Sequence, residues 1–118
     1  MARFAVLNRN GDFRALYHRG KSQVHPVLVT YARKNRTGHP RMGITTGKKV
    51  GCAVRRNRCR RVILESYRAL LPQIAGGWDL VFVARHRTGE CKSTRIQRIM
   101  EDQLRALGVI RPKDGKAS

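Results

Sequence analysis

The segment from Trp78 to Arg85 reads WDLVFVAR. Trp78, Leu80, Phe82 and Ala84 alternate with Asp79, Val81, Val83 and Arg85, which is the two-residue period of a strand. Both sets are mostly apolar, so water has to be kept from both faces. Such a strand belongs in the centre of a sheet, or at least under helices on one face with a sheltered groove on the other. The remaining residues must supply its strand neighbours and its cover.

Helical periods flank it. From about Ala53 to Leu71, Cys59, Val62, Ile63, Ser66 and Leu70 fall on one side and Asn57, Arg58, Arg61, Glu65 and Arg68 on the other, until Pro72 and the Gly76-Gly77 pair end the pattern. After the loop HRTGECK, Ser93 or Thr94 caps a last helix with Ile96, Ile99, Met100, Leu104 and Leu107 as its apolar stripe. Upstream, Asn10 caps a short helix with Asp12 in its first turn and Phe13, Leu16 and Tyr17 on one face, closed by Gly20. The β-branched run VHPVLVTYAR then places Val27, Val29 and Tyr31 on one face of a strand and Leu28, Thr30 and Ala32 on the other. In RMGITTG, Met42, Ile44 and Thr46 alternate as a second strand, and the turn-rich KNRTGHP between the two predicts a hairpin. Gly47 to Gly51 holds either a further short strand or a loop. A length of 118 residues suits one core. The expectation is one α+β domain over residues 1–118 with a loose tail from about 111. Its mixed sheet of about four strands packs with three helices in the order α-β-β-β-α-β-α.

Charge narrows the function. KKVGCAVRRNRCRR, from Lys48 to Arg61, holds seven lysines and arginines and no acid, and it runs into the helical pattern VILESYRALL. Aligned peptide dipoles already make a helix start positive, and arginines three and four apart repel, so an external polyanion removes both penalties. The whole chain has 26 Lys and Arg against seven Asp and Glu, a net charge of +19 and a pI of about 11.6. That is the electrostatic footprint of a protein that binds a phosphate backbone.

Other classes fit less well. No apolar run approaches the roughly 18 residues that cross a bilayer, and MARFAVLNRN lacks the apolar stretch of a signal peptide, so a soluble intracellular protein is expected. Cys52, Cys59 and Cys91 form no CxxC pair and read as reduced thiols, with Cys52 and Cys59 as small buried residues. His18, His25, His39 and His86 are scattered, which gives zinc no ligand set. The acids Asp12, Glu65, Asp79, Glu90, Glu101, Asp102 and Asp114 are equally dispersed, and Glu101 and Asp102 balance Arg98 and Arg105 on a helix. No cluster resembles the carboxylates with which a protein nuclease holds magnesium, so no catalytic or metal-binding residue is assigned. A structural RNA-binding protein of ribosomal type shares the charge and size. A DNA-binding module also uses a basic helix, but Val54, Cys59, Val62 and Ile63 tie this one to a sheet.

Three segments then carry a resemblance. PRMGITTGKKVGCAVRRNRCRRVILESYR, from Pro40 to Arg68, contains paired lysines, Gly-x-Ala-Val, Arg-Asn-Arg and a following basic pair. Phe13 and Tyr17 stand four apart before a glycine, and WDLVFVARH supplies a last strand. In this order they resemble the protein subunit of bacterial ribonuclease P over nearly the whole chain. The resemblance implies an α+β sandwich whose strands before and after the basic helix are joined by a left-handed crossover, against the usual right-handed rule. It implies a part in hydrolysing one phosphodiester of precursor tRNA to release the 5′ leader, with the chemistry and its Mg2+ in the RNA subunit.

Lys48, Lys49, Arg55, Arg56, Asn57, Arg58, Arg60, Arg61 and Arg68 would dock on the catalytic RNA. Phe13, Tyr17 and Tyr31 would line a cleft for the leader, although without the resemblance Phe13, Leu16 and Tyr17 read as a core stripe. Arg85 and His86 extend the basic surface at the end of the last strand. The implied partners are the ribonuclease P RNA subunit and precursor tRNA, in the cytoplasm, with no membrane and no DNA. Cys52 stands where the family commonly has asparagine, Cys59 where it has an aliphatic residue, and Leu64 where a basic residue is frequent.

Overall fold

The computed structural model describes residues 5–6, 10–74 and 76–110, and the side chains of residues 5, 6, 10, 12 and 48 also lie outside the description. The tail expected from about 111 falls outside it, as do the cap expected of Asn10 and the side chain of Lys48. In chain order the elements are β1 (Ala5–Val6), α1 (Asn10–Arg19), β2 (Lys21–Val24), β3 (Leu28–Lys34), β4 (Arg41–Thr45), α2 (Ala53–Leu70), β5 (Trp78–Ala84) and α3 (Ser93–Ala106). The strands form one mixed sheet in the order β1-β4-β5-β3-β2.

β5 occupies the centre, as its two apolar faces require, parallel to β4 and antiparallel to β3. Leu80 and Phe82 are fully buried with Cys59, Ile63, Tyr67 and Leu70 of α2 and Ile96, Met100 and Leu104 of α3. On the opposite face Val81 is buried against Leu16 of α1, with Phe13, Tyr31 and Val83 packed around the pair. One face of the sheet therefore carries two long helices and the main core, and the other carries only α1.

The expected hairpin does not form. β3 and β4 each pair with β5, which lies between them, so KNRTGHP bridges two strands that never touch. The third strand before the basic helix is the polar KSQV, not Gly47 to Gly51: β2 pairs antiparallel with β3, while Lys48–Val50 is a single 3-10 turn. β2 has no apolar alternation because it is an edge strand, held by its backbone ladder with mostly exposed side chains. Val27 precedes β3, in the turn after β2, and is buried with the helix-side core rather than sharing the face of Val29. Gly20 marks where α1 meets β3. A Cβ there would come within 2.6 Å of the Leu16 carbonyl oxygen and 3.0 Å of that of Ala32.

The stripe foreseen on α2 is buried in full, together with Tyr67. α3 begins at Ser93 with Lys92 at its N-cap, and no side chain caps it. Polar residues also enter the core. The Thr30 hydroxyl donates to Gln103 Oε1 at 2.6 Å, and Gln103 Nε2 donates to the carbonyls of Leu28 at 2.8 Å and Gln23 at 3.1 Å. Gln103 thereby ties α3 to the β2–β3 turn.

Candidate nucleic-acid interface

Because β4 and β5 run parallel, their carboxyl ends lie on one edge of the sheet. β4 leads through Lys48 and the exposed Lys49 into α2, and β5 leads into the exposed Arg85, His86 and Arg87. Two basic segments 30 residues apart in sequence are thus brought together. Arg55 Nη2 donates to the His86 carbonyl at 3.3 Å and pairs with Glu90 at 3.0 Å, while Arg58 Nε donates to the Gly89 carbonyl at 2.6 Å. Two arginines of the basic run are therefore engaged in holding the loop after β5 against the first turns of α2.

The other polar side chains of α2 lie elsewhere around it. Asn57, Arg60, Arg61 and Arg68 are exposed and Arg56 is half-buried. At about 100° per residue, Asn57, Arg60 and Arg68 turn away from Arg55 and Ser66, Arg60 lies nearly opposite Arg58, and Arg61 stands only about 60° from Arg58. α2 has no acid in its first turn and no side-chain cap from Cys52. Its positive start is therefore uncompensated within the helix.

Cys52 is exposed rather than buried, because it stands just before the first turn. The backbone N–H groups of Arg55 and Val54 that open the helix face its thiol, too far for a cap hydrogen bond, and hold it below the ordinary value. Burial has the opposite effect on Cys59, whose thiol is pushed up. Val54, expected to help tie the helix to the sheet, is 78% exposed, since helical spacing puts it opposite the buried Cys59, Ile63 and Leu70.

The aromatic residues gather on the sheet face that α1 leaves partly open. The rings of Tyr17 and Tyr31 meet edge to face with centroids 4.9 Å apart, and the Tyr17 hydroxyl lies 3.3 Å from Thr45 Oγ1. Tyr31 is on β3 and Thr45 on β4, so Tyr17 spans the central strand between them. Tyr17 is 42% exposed, whereas Phe13 and Tyr31 are half-buried beside Leu16 and Val81. Phe13 thus contributes mainly packing, and Tyr17 presents the larger open ring. Thr45 ends β4 just before Lys48, which sets the aromatic row next to the basic turn.

On the same face Asp79 accepts from Arg41 Nε and Nη2, both at 2.8 Å, and from Asn35 Nδ2 at 2.7 Å. Burial alone would raise the Asp79 carboxyl, but these donors and the charges of Arg41 and Arg33 hold it below the ordinary range. Tyr67, buried under the sheet, has its hydroxyl pushed up to about 12. Among the described residues no three His, Cys, Asp or Glu side chains converge as metal ligands. Arg87 was missing from the expected surface. Only the parallel order of β4 and β5, which no local pattern encodes, places it beside the start of α2.

The family model described as Ribonuclease P matches residues 1–108. The ribonuclease P protein component of Clostridium botulinum (strain Loch Maree / Type A3) is 39% identical over 104 residues, covering 87% of this chain and 94% of that relative. That of Clostridioides difficile (strain 630) is 46% identical over 80 residues, covering 67% and 70%. Among solved structures, the RNase P protein of Staphylococcus aureus superposes with a TM-score of 0.81 at 29% identity, over 92% of this chain and 100% of that one. The RNase P protein of Thermotoga maritima gives 0.75 at 27%, over 93% and 100%. Sequence and fold agree along almost the whole length, and the chain belongs to the ribonuclease P protein family.

Proposed function

We propose that this ribonuclease P protein component binds the RNA subunit through one flank of α2 and the 5′ leader of precursor tRNA through the aromatic face of the sheet, assisting endonucleolytic removal of the leader. Arg56, Arg60, Arg61 and Arg68 meet phosphates, with Lys48 and Lys49 at the turn before the helix. Asn57 offers both a donor and an acceptor to a ribose 2′-hydroxyl. Arg55 and Arg58 shape this edge by holding the loop after β5. Tyr17 and Tyr31, with Phe13 at the margin, offer flat faces to unpaired bases, a contact worth about 1–3 kcal/mol per base with little sequence preference. A processing enzyme that meets many leaders needs that tolerance.

The bond-breaking chemistry and its Mg2+ are assigned to the RNA subunit. Among the described residues, this chain offers no converging ligands for such an ion. The observation that carries the reading is the Tyr17–Thr45 contact, which sets the aromatic row beside the basic turn that opens α2.

Reconstitution tests it. Added to a bacterial ribonuclease P RNA at low magnesium, the protein is expected to stimulate cleavage of a precursor tRNA that carries a leader of several nucleotides. Stimulation should be lost on joint replacement of Arg60 and Arg61 by alanine. Binding without any stimulation would overturn the reading in favour of a structural RNA-binding role.

A further inference from the structure

A second cationic surface lies across α2 from Arg60. Arg87, Glu90, Lys92, Thr94 and Arg95 surround a groove of about 400 Å³ with Val27 at its base. A second groove of about 410 Å³ shares Thr94 and Arg95 and continues to Arg98, Ile99 and Asp102. The two form one track along the loop after β5 and the first half of α3.

The acids nearby are committed elsewhere. Glu90 pairs with Arg55 at 3.0 Å, Glu101 with Arg105 at 2.6 Å, and Asp102 with Arg105 at 3.6 Å. Among the described residues no acid lies within 4.0 Å of the exposed Arg87, Lys92, Arg95 or Arg98. α3 is thus compensated in its second half and bare in its first, where no acid stands in the opening turn. Among the described residues, the side chains of Arg87, Lys92, Arg95 and Arg98 enter no hydrogen bond or ion pair within the fold.

The flank is also separate from the one already assigned. Arg55, Arg58 and Ser66 are the α2 residues whose side chains donate to carbonyls of the 86–93 segment, and Cys59 packs beside Gly89. Asn57, Arg60 and Arg68 turn away from Arg55 and Ser66, with Arg60 nearly opposite Arg58, while Arg61 stands between the two sides, about 60° from Arg58. A strand seated on Arg60, about 160° around α2 from Arg58, therefore lies on the side away from the track.

We infer that the track formed by Arg87, Lys92, Arg95 and Arg98 binds the phosphate backbone of a second RNA segment, so that the protein clamps two strands on opposite sides of α2. The inference rests on the RNA-binding function proposed above. Arginine forks and a lysine with no internal partner suit phosphate oxygens, and Glu90 and Asp102, both paired, do not bar the path. The phosphates belong either to the RNA subunit or to the precursor tRNA, which share this chemistry.

The test is equilibrium binding by the full chain to each RNA separately across a salt series, for wild type, R87A/K92A/R95A, R60A/R61A and R36A. Each phosphate contact contributes roughly 0.7–0.9 to the slope of log affinity against log salt. The triple variant should therefore lower the slope by about 2 and weaken binding at least tenfold, with an unchanged melting temperature. The RNA that shows the loss is the one that occupies the track. Unchanged slopes with both RNAs, alongside a reduced slope for R60A/R61A, overturn the second surface and leave the proposed function standing. An equal effect per charge from R36A, at a distant exposed site, would reduce the track to bulk charge and also overturn it. Failure of the wild type to bind either RNA would remove the proposed function itself.

Discussion

Asp79 shows how one half-buried carboxylate is held in place by its neighbours. Its side chain is 13% exposed and is held ionised by Arg41, Asn35 and Arg33. Its folded value lies below the ordinary 3.8, so the stability it contributes is present above that value and is lost as the pH falls through the folded value. Denaturant titrations between pH 5 and pH 2 should show the decline, and Asp79→Asn should flatten it. Gln103 works without charge. Gln103→Ala leaves the Thr30 hydroxyl and two carbonyls without their partner and should cost about 2–4 kcal/mol in urea unfolding.

Tyr17 divides its ring between Tyr31 and solvent and touches Thr45 only through its hydroxyl. Tyr17→Phe should therefore bind leader-bearing precursor tRNA nearly as well as wild type. Tyr17→Ala should weaken it by about 1–3 kcal/mol, with no change for tRNA lacking a leader. The alternation of Val81 with Phe82 and the spacing of Phe13, Leu16 and Tyr17 made these positions readable in advance. Gln103 was not readable, because a glutamine on a helix signals nothing until the turn between β2 and β3 is folded beneath it.

At the level of elements, α2 separates into two working sides. Loss of the Arg58 contact frees the Gly89 carbonyl, so Arg58→Ala should speed amide hydrogen exchange across residues 86–91 while reducing the salt slope of RNA binding less than Arg60→Ala or Arg61→Ala. The basic run alone treats all five arginines alike, since charge and spacing do not reveal which ones meet a loop that returns 30 residues later. The same limit explains the hairpin. KNRTGHP is a turn by composition, but composition cannot tell a strand pairing with its sequence neighbour from one that makes room for a later arrival. β2 escaped notice for the opposite reason: an edge strand needs no apolar face, so its sequence carries no period to read.

For the molecule as a whole, a net charge of +19 on 118 residues repels itself in the compact state. An oligonucleotide held at about 100 times its Kd should add about 2.7 kcal/mol to the free energy of unfolding, visible as a rise in Tm that shrinks with added salt. The sheet order has another consequence. Neither β3 nor β4 has its main partner until Trp78–Ala84 arrives, so a nascent polypeptide that stops short of Trp78 carries two loose half-sheets and a Tyr17 with no Thr45 held opposite it. The aromatic face is completed only late in synthesis, and a ribosome-tethered fragment has charge with which to attract RNA but no finished sheet face on which to seat it.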